Sequence, residues 1–323
     1  MVIVLSVKEG LVQVQERTSG SYLADRTARI IFLICAVLMV IVIVGVFVFL
    51  GLSGFRVFGE GASIQNFFFN TNWDPTGNGD VNGNPSFGAG GLILGSIIIT
   101  FFSVIIAAPL AFGTALIFTE GGSHRFTRLL QPLIEIFTGM PSVVIGFFGL
   151  VVIVPFLQKA VGNITANHQT AGFGWGAAIL VLVIMILPTI ISVSIDALNT
   201  VPASVREASL ALGSTRWQMM TNAVLPAATT GLATAVVLGM ARAIGETLAV
   251  SLVLNGSKLA SLTNLFNLFF QPNVNITQYI AIDFGEASGP ARDAYYTLAL
   301  ILLAISFLFV CLSRYLASRS VYK

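Results

Sequence analysis

Charge is what this 323-residue chain has least of: 9% of it is Asp, Glu, Lys or Arg, against roughly a quarter in soluble domains. With 56% hydrophobic residues and a mean hydropathy of +0.91, that shortage excludes a water-soluble globule and leaves a polytopic membrane protein. A net charge of +2 with no block of like charges excludes a nucleic-acid-binding tail. The two cysteines, Cys35 and Cys311, sit inside apolar runs, so no disulfide framework is expected. No G-x-x-x-x-G-K-[ST] occurs, nor any Gly-Lys pair, so the chain has no loop of its own to cradle the phosphates of ATP. The two histidines, His124 and His168, fall on opposite sides of the expected membrane. Glu135 and Ser142 show no nucleophile–base pairing, and no motif supports an enzyme.

Apolar length is what remains. Charge-free windows run 30–55, 81–119, 136–158, 160–195, 217–241 and 294–313, and a helix needs about 20 apolar residues to cross the hydrocarbon core. Spans are expected near 29–52, 91–118, 133–157, 175–196, 224–254 and 294–316. The ten-residue alternation of barrel strands is absent. The fold class is therefore all-α with six transmembrane helices. Residues 1–28 form a polar N-terminal segment that lacks the layout of a cleaved signal peptide, and 29–323 form the membrane domain. Of the 16 Lys and Arg, eleven flank the spans on the side of both termini, four lie opposite, and Arg242 lies within a span. The positive-inside rule puts both termini in the cytoplasm.

One outer loop, 70–90, places Asp74, Thr76, Asn78, Asp80 and Asn82 like the start of a calcium loop, but Pro85 stands where a bidentate Glu is required. Asn, Asp, Gly and Pro are ordinary turn residues, and a turn is the reading kept. On the cytoplasmic side, between spans four and five, Pro202 and Ser204 start a short helix and Gly213 ends it. A helix this short is marginal in water and needs a partner surface: the bilayer, its own bundle or another protein.

Inside the fifth span, "LGMARAIGETLAVSLVL" carries Arg242 and Glu246. Four residues apart on one helix, they share a face. Each central charge costs roughly 2.5–3.5 kcal/mol to insert, and such residues usually line a pathway. An exposed i,i+4 ion pair returns only about 0.3–0.5 kcal/mol. A guanidinium grips a tetrahedral oxyanion bidentately. A neighbouring carboxylate tolerates an anion that keeps a proton, as phosphate does near neutral pH and sulfate does not.

Glu207-Ala208-Ser209, Gly213, Ala223 and Leu225-Pro226 stand at the spacing of the "EAA" loop of ABC importer permeases, with Ser209 and Ala223 as departures. "ARAIGETLAVSLVLNG" (241–256), "TGMPSVVIGFFGL" (138–150) and "FGAGGLILGSIIIT" (87–100) resemble stretches of phosphate ABC transporter permeases. The long N-terminal portion and "GETLAV" are similar to the C-type (PstC) subunit. The resemblance implies a type I permease fold whose coupling loop, about 197–226, docks on an ATPase through Glu207, Ala208 and Gly213. It also implies that Arg242 and Glu246 lie on the phosphate pathway. Implied partners are an A-type permease, two copies of an ATP-binding subunit that uses ATP and Mg, and an extracytoplasmic phosphate-binding protein. The setting is a prokaryotic inner membrane, with no cofactor on this chain. Alternatives left open are an A-type phosphate permease, a permease for sulfate or molybdate, and an ion-coupled secondary transporter. The last would follow an ion gradient instead of ATP.

Overall fold

A computed structural model describes residues 19–59, 62–77, 83–121, 124–164, 170–256, 259 and 264–318. The chain divides into two compact units, one ending at Leu52 and one running from Ser53. The described residues of the first form one helix, α1 (Ser19–Gly54), which ends just past Leu52, with no acidic residue in its first turn and a long apolar run from Ile30.

The second unit opens with two short helices, α2 (Arg56–Gly59) and α3 (Ile64–Phe69), and a small antiparallel hairpin. Its strands, β1 (Trp73–Asp74) and β2 (Ser86–Phe87), pair Trp73 with Phe87 and Asp74 with Ser86. Then come α4 (Gly90–Leu116), ending in a π turn (Ile117–Gly121), and α5 (His124–Gly139). Next, α6 (Ser142–Phe148) and α7 (Val154–Ile164) are joined by a π turn (Gly149–Ile153). After α8 (Trp175–Asn199) follow the surface helices α9 (Ala203–Ala211) and α10 (Arg216–Met219), the latter joined through a third π turn to α11 (Leu225–Ile244). The chain closes with α12 (Leu248–Leu254), α13 (Leu265–Phe270), α14 (Ile276–Asp283) and α15 (Pro290–Ser318).

Among the described residues six helices are long and apolar enough to cross a membrane: Asp25–Gly59, Gly90–Gly121, Ser142–Gly162, Trp175–Asn199, Arg216–Ile244 and Pro290–Leu312. Each overlaps an expected span. Of the boundaries that differ, two bear on the site. The third span is expected from 133, but α5 stops at Gly139 and the membrane-length helix begins only at Ser142. Pro141 is the reason: it disfavours helix at Met140 and takes an extended N-cap conformation, φ −58 and ψ 133. The fifth is expected to run unbroken to 254, but it ends at Ile244 and resumes at Leu248.

α8 is the hub of the second unit, packing against α4 and α11. Its Trp175 is fully buried and donates from Nε1 to the Val274 carbonyl at 3.2 Å. The approach of α11 depends on a missing side chain: a Cβ on Gly239 would stand 2.5 Å from Ile190 Cγ1. Small residues at helix crossings gain dispersion where lipid offers no hydrophobic drive between helices. Of the suspected calcium loop, Asn78, Asp80 and Asn82 lie outside the described residues, as does His168. Thr76 there donates to Asp74 Oδ1 at 3.1 Å, an ordinary turn bond.

Candidate functional site

The break in the fifth span positions both charges. α11 ends with Gly245, whose N–H reaches back to Ala241 O at 3.4 Å, while Glu246 N–H bonds Ala243 O at 3.4 Å. Gly245, Glu246 and Thr247 are non-helical, and α12 starts at Leu248. Unwound backbone at membrane depth is tolerated where it is buried in protein or lines a cavity. The expectation of one shared helix face for Arg242 and Glu246 is corrected: Arg242 closes α11, Glu246 lies within the break, and each bonds a different partner. A carbon-bare Gly245 beside the polar Glu246 and Thr247 releases the helix, and each charge then finds its own partner.

Arg242 lies in the last turn of α11, where the helix dipole favours a cation by about 0.3–1 kcal/mol. It is half-buried and donates from Nη1 to Thr189 Oγ1 on α8 at 2.8 Å. Glu246, also half-buried, accepts the Ala249 N–H on Oε1 at 3.0 Å and so caps the start of α12. Its other surroundings mix apolar side chains, among them Ile99, Leu182 and Val250, with a few polar ones. It lines a cavity of ≈10 Å³ together with Ser96, Thr100, Asn275 and Thr277, room for about one water. Thr277 is 4% exposed and its Oγ1 has no partner. Thr189 and Thr277 were not read from the sequence. The signal for Thr189 is faint: a hydroxyl directly after Pro188, with Ser192 and Ser194 close behind it.

The second functional region lies on α9. Glu207 and Ala208 are exposed on that helix, and Gly213 is exposed in the turn that ends it. Gly213 takes φ +83, a left-handed conformation that penalises any Cβ. The two bonds of a Schellman cap surround it, Gly213 N to Leu210 O at 2.9 Å and Ser214 N to Ser209 O at 3.4 Å. Ser209, one of the two departures from the EAA pattern, also places its Oγ 2.8 Å from that of Ser214. Arg206, missed in the sequence, pins the helix. Its Nε donates to Glu120 Oε1 at 2.8 Å, its Nη2 to Leu198 O at 2.9 Å and its Nη1 to Val201 O. Three elements meet at this guanidinium: the turn after α4, the C-terminal end of α8, and α9. Beyond it, Leu212 is 90% exposed and Trp217 66%.

Residues 107–322 match the family of binding-protein-dependent transport system inner membrane components. The chain belongs to this family. As one of these inner membrane components it resembles a probable ABC transporter permease, YqgH, of Bacillus subtilis, with 38% identity over 98% of this chain and 97% of that one. It also resembles the phosphate transport system permease protein PstC of Pasteurella multocida, with 34% identity over 85% and 88% of the two chains. Among solved structures, a bacterial alginate ABC transporter captured with its pentasaccharide-bound periplasmic protein superposes with a TM-score of 0.62 over 94% of this chain and 98% of that one. At 14% identity that likeness speaks for the fold alone.

Proposed function

We propose that this chain is the C-type permease of an ATP-driven importer that takes inorganic phosphate into a prokaryotic cell. It pairs in the membrane with an A-type permease; two ATP-binding subunits hydrolyse MgATP on the cytoplasmic side, and an extracytoplasmic phosphate-binding protein delivers the anion. Both termini face the cytoplasm, following the bias of Lys and Arg toward their side.

The observation that carries the reading is a half-buried guanidinium beside a helix break, in a chain whose relatives include proteins named as phosphate permeases. Thr189 engages one of the five N–H donors of Arg242 and orients the plane, and the remaining donors suit an oxyanion. Within the break Glu246 supplies an acceptor for an anion that retains a P–OH. Hydroxyls at Thr100 and Thr277 lie on the same small cavity wall as that carboxylate. Binding here is weak enough for release, because conduction requires exit as well as entry. On the inner face, Glu207, Ala208 and the turn at Gly213 meet the ATPase. Arg206 links their motion to the ends of α4 and α8.

Radiolabelled phosphate uptake by proteoliposomes containing the assembled complex tests the reading. Arg242→Gln is expected to lower uptake by about tenfold or more, the worth of a lost charge-assisted hydrogen bond, with all subunits still co-purifying. Uptake at the original rate in a complete complex would remove the arginine from the pathway.

A further inference from the structure

A cavity of ≈810 Å³ lies between the β1–β2 hairpin, α14 and the start of α15. Ser86 on its rim precedes α4 by a few residues, whereas the far end of α4 is where Glu120 pairs with Arg206 of α9. A 27-residue helix rises about 40 Å between these points. The cavity therefore sits on the membrane face opposite α9.

Its wall carries the carboxyls of Asp74, Asp283 and Glu286 and, among the described residues, no Lys, Arg or His. Gln278, 4% exposed, belongs to the same wall. Its Nε2 donates to Gly256 O at 3.0 Å, which fixes the orientation of the amide, since two carbonyls would repel. Its Oε1 is then left buried with no partner, and a buried acceptor of this kind is stabilised by any donor that reaches it. Burial raises the Asp283 carboxyl above its ordinary range, opposed by the Tyr295 hydroxyl that donates to it at 3.4 Å and reinforced by Glu286. The Tyr279 hydroxyl, pushed up to about 12 chiefly by burial, stays protonated.

Among the described residues no three His, Cys, Asp or Glu stand close enough together to hold a metal ion. A long basic side chain makes a lesser demand: one carboxylate, one amide oxygen and space for its stem. The family to which the chain belongs depends on a binding protein. We propose that this cavity receives a lysine or arginine side chain of that binding protein, with Glu286, Asp283 and Gln278 Oε1 as acceptors. This rests on the reading of the chain as a permease fed from the face opposite α9, and it adds the chemistry of that contact. Complementary charge of this kind sets register and speeds encounter.

The assembled transporter in proteoliposomes tests it, with the cognate phosphate-loaded binding protein titrated outside and ATP hydrolysis as the readout. In the double variant Asp283→Asn, Glu286→Gln, the concentration for half-maximal stimulation is expected to rise about tenfold. Its salt dependence flattens, and stimulation at saturation holds. Glu286→Lys is expected to act more strongly than Glu286→Gln. Equal effects of those two single variants, or an unmoved half-saturation point in a fully assembled double variant, overturn the proposal. So does calcium chloride stimulating the wild type but not the double variant, which would make this a metal site. The Arg242→Gln complex keeps the readings apart, since it should show the original half-saturation point even if phosphate no longer passes.

Discussion

At the hairpin end of α4 the chain displays carboxylates around an open cavity, while at the other end Glu120 is engaged by Arg206 and the large side chains left outside include the apolar Leu212 and Trp217. Both ends include a short helix that crosses no membrane, α9 at one and α14 at the other. They differ in which chemistry is internally consumed. At the α9 end one ion pair holds the helix in place, and the outward surface mixes the large apolar side chains of Leu212 and Trp217 with the charges of Glu207 and Arg216, suited to a lasting contact with a partner. At the hairpin end charge faces outward, suited to a partner that arrives and leaves, because exposed charge accelerates encounter more than it strengthens binding. Between them runs a bundle core whose only half-buried guanidinium among the described membrane-spanning residues is Arg242.

The comparison breaks most decisively at Arg206. Its side chain is 21% exposed and that of Glu120 10%. Loss of a fully buried pair member costs about 3–5 kcal/mol, and partial solvent access lowers that to roughly 2–3. Arg206→Leu should therefore uncouple ATP hydrolysis from uptake while the six-helix domain still inserts, measured as hydrolysis per phosphate transported. An unchanged ratio would mean that the α9 end does not depend on this pin.

A smaller effect is expected at the turn closing α9. Gly213→Val forces a β-branched residue into φ +83, at a cost of about 1–2 kcal/mol. The space around a Cβ there is open, so the penalty is conformational and not steric. Weaker retention of the ATPase subunits on a size-exclusion column is the expected result, with the response to the binding protein unaltered. A shift in that response would erase the distinction between the two ends.

The smallest effect sharpens the opposite end. Because burial raises the Asp283 carboxyl in the folded chain, folding is opposed once pH climbs past the ordinary value of 3.8 and toward the raised one. Below 3.8 both states are protonated and the penalty vanishes. Asp283→Asn should accordingly raise the melting temperature in detergent slightly at neutral pH and leave it unchanged in acid. A carboxylate retained against its own stability cost is consistent with a role toward a visitor. A lower melting temperature at neutral pH would identify Asp283 as a structural anchor through Tyr295 instead.

Much of this was legible in one dimension. Six spans follow from hydropathy because the solvent around each segment selects its composition residue by residue. The α9 turn follows from spacing because a helix stop needs a glycine at a definite place. The break at Gly245 was not legible: "ARAIGETLAV" keeps a helix-compatible pattern, and the loss of three helical residues depends on partners supplied from elsewhere, Thr189 from α8 and the polar wall of Ser96, Asn275 and Thr277.

The sequence by itself therefore determined the solvent, the number of crossings and the two residues at which charge enters the membrane. Tertiary structure alone decided that those two charges part company at a helix break, that Arg206 ties three elements together, and that residues some 200 positions apart in sequence, Asp74 and Glu286, share one cavity. The physical reason is range. Burial and periodicity act on neighbours along the chain, whereas a hydrogen bond or a cavity wall is made by whatever packing brings together, and no local pattern records its partner.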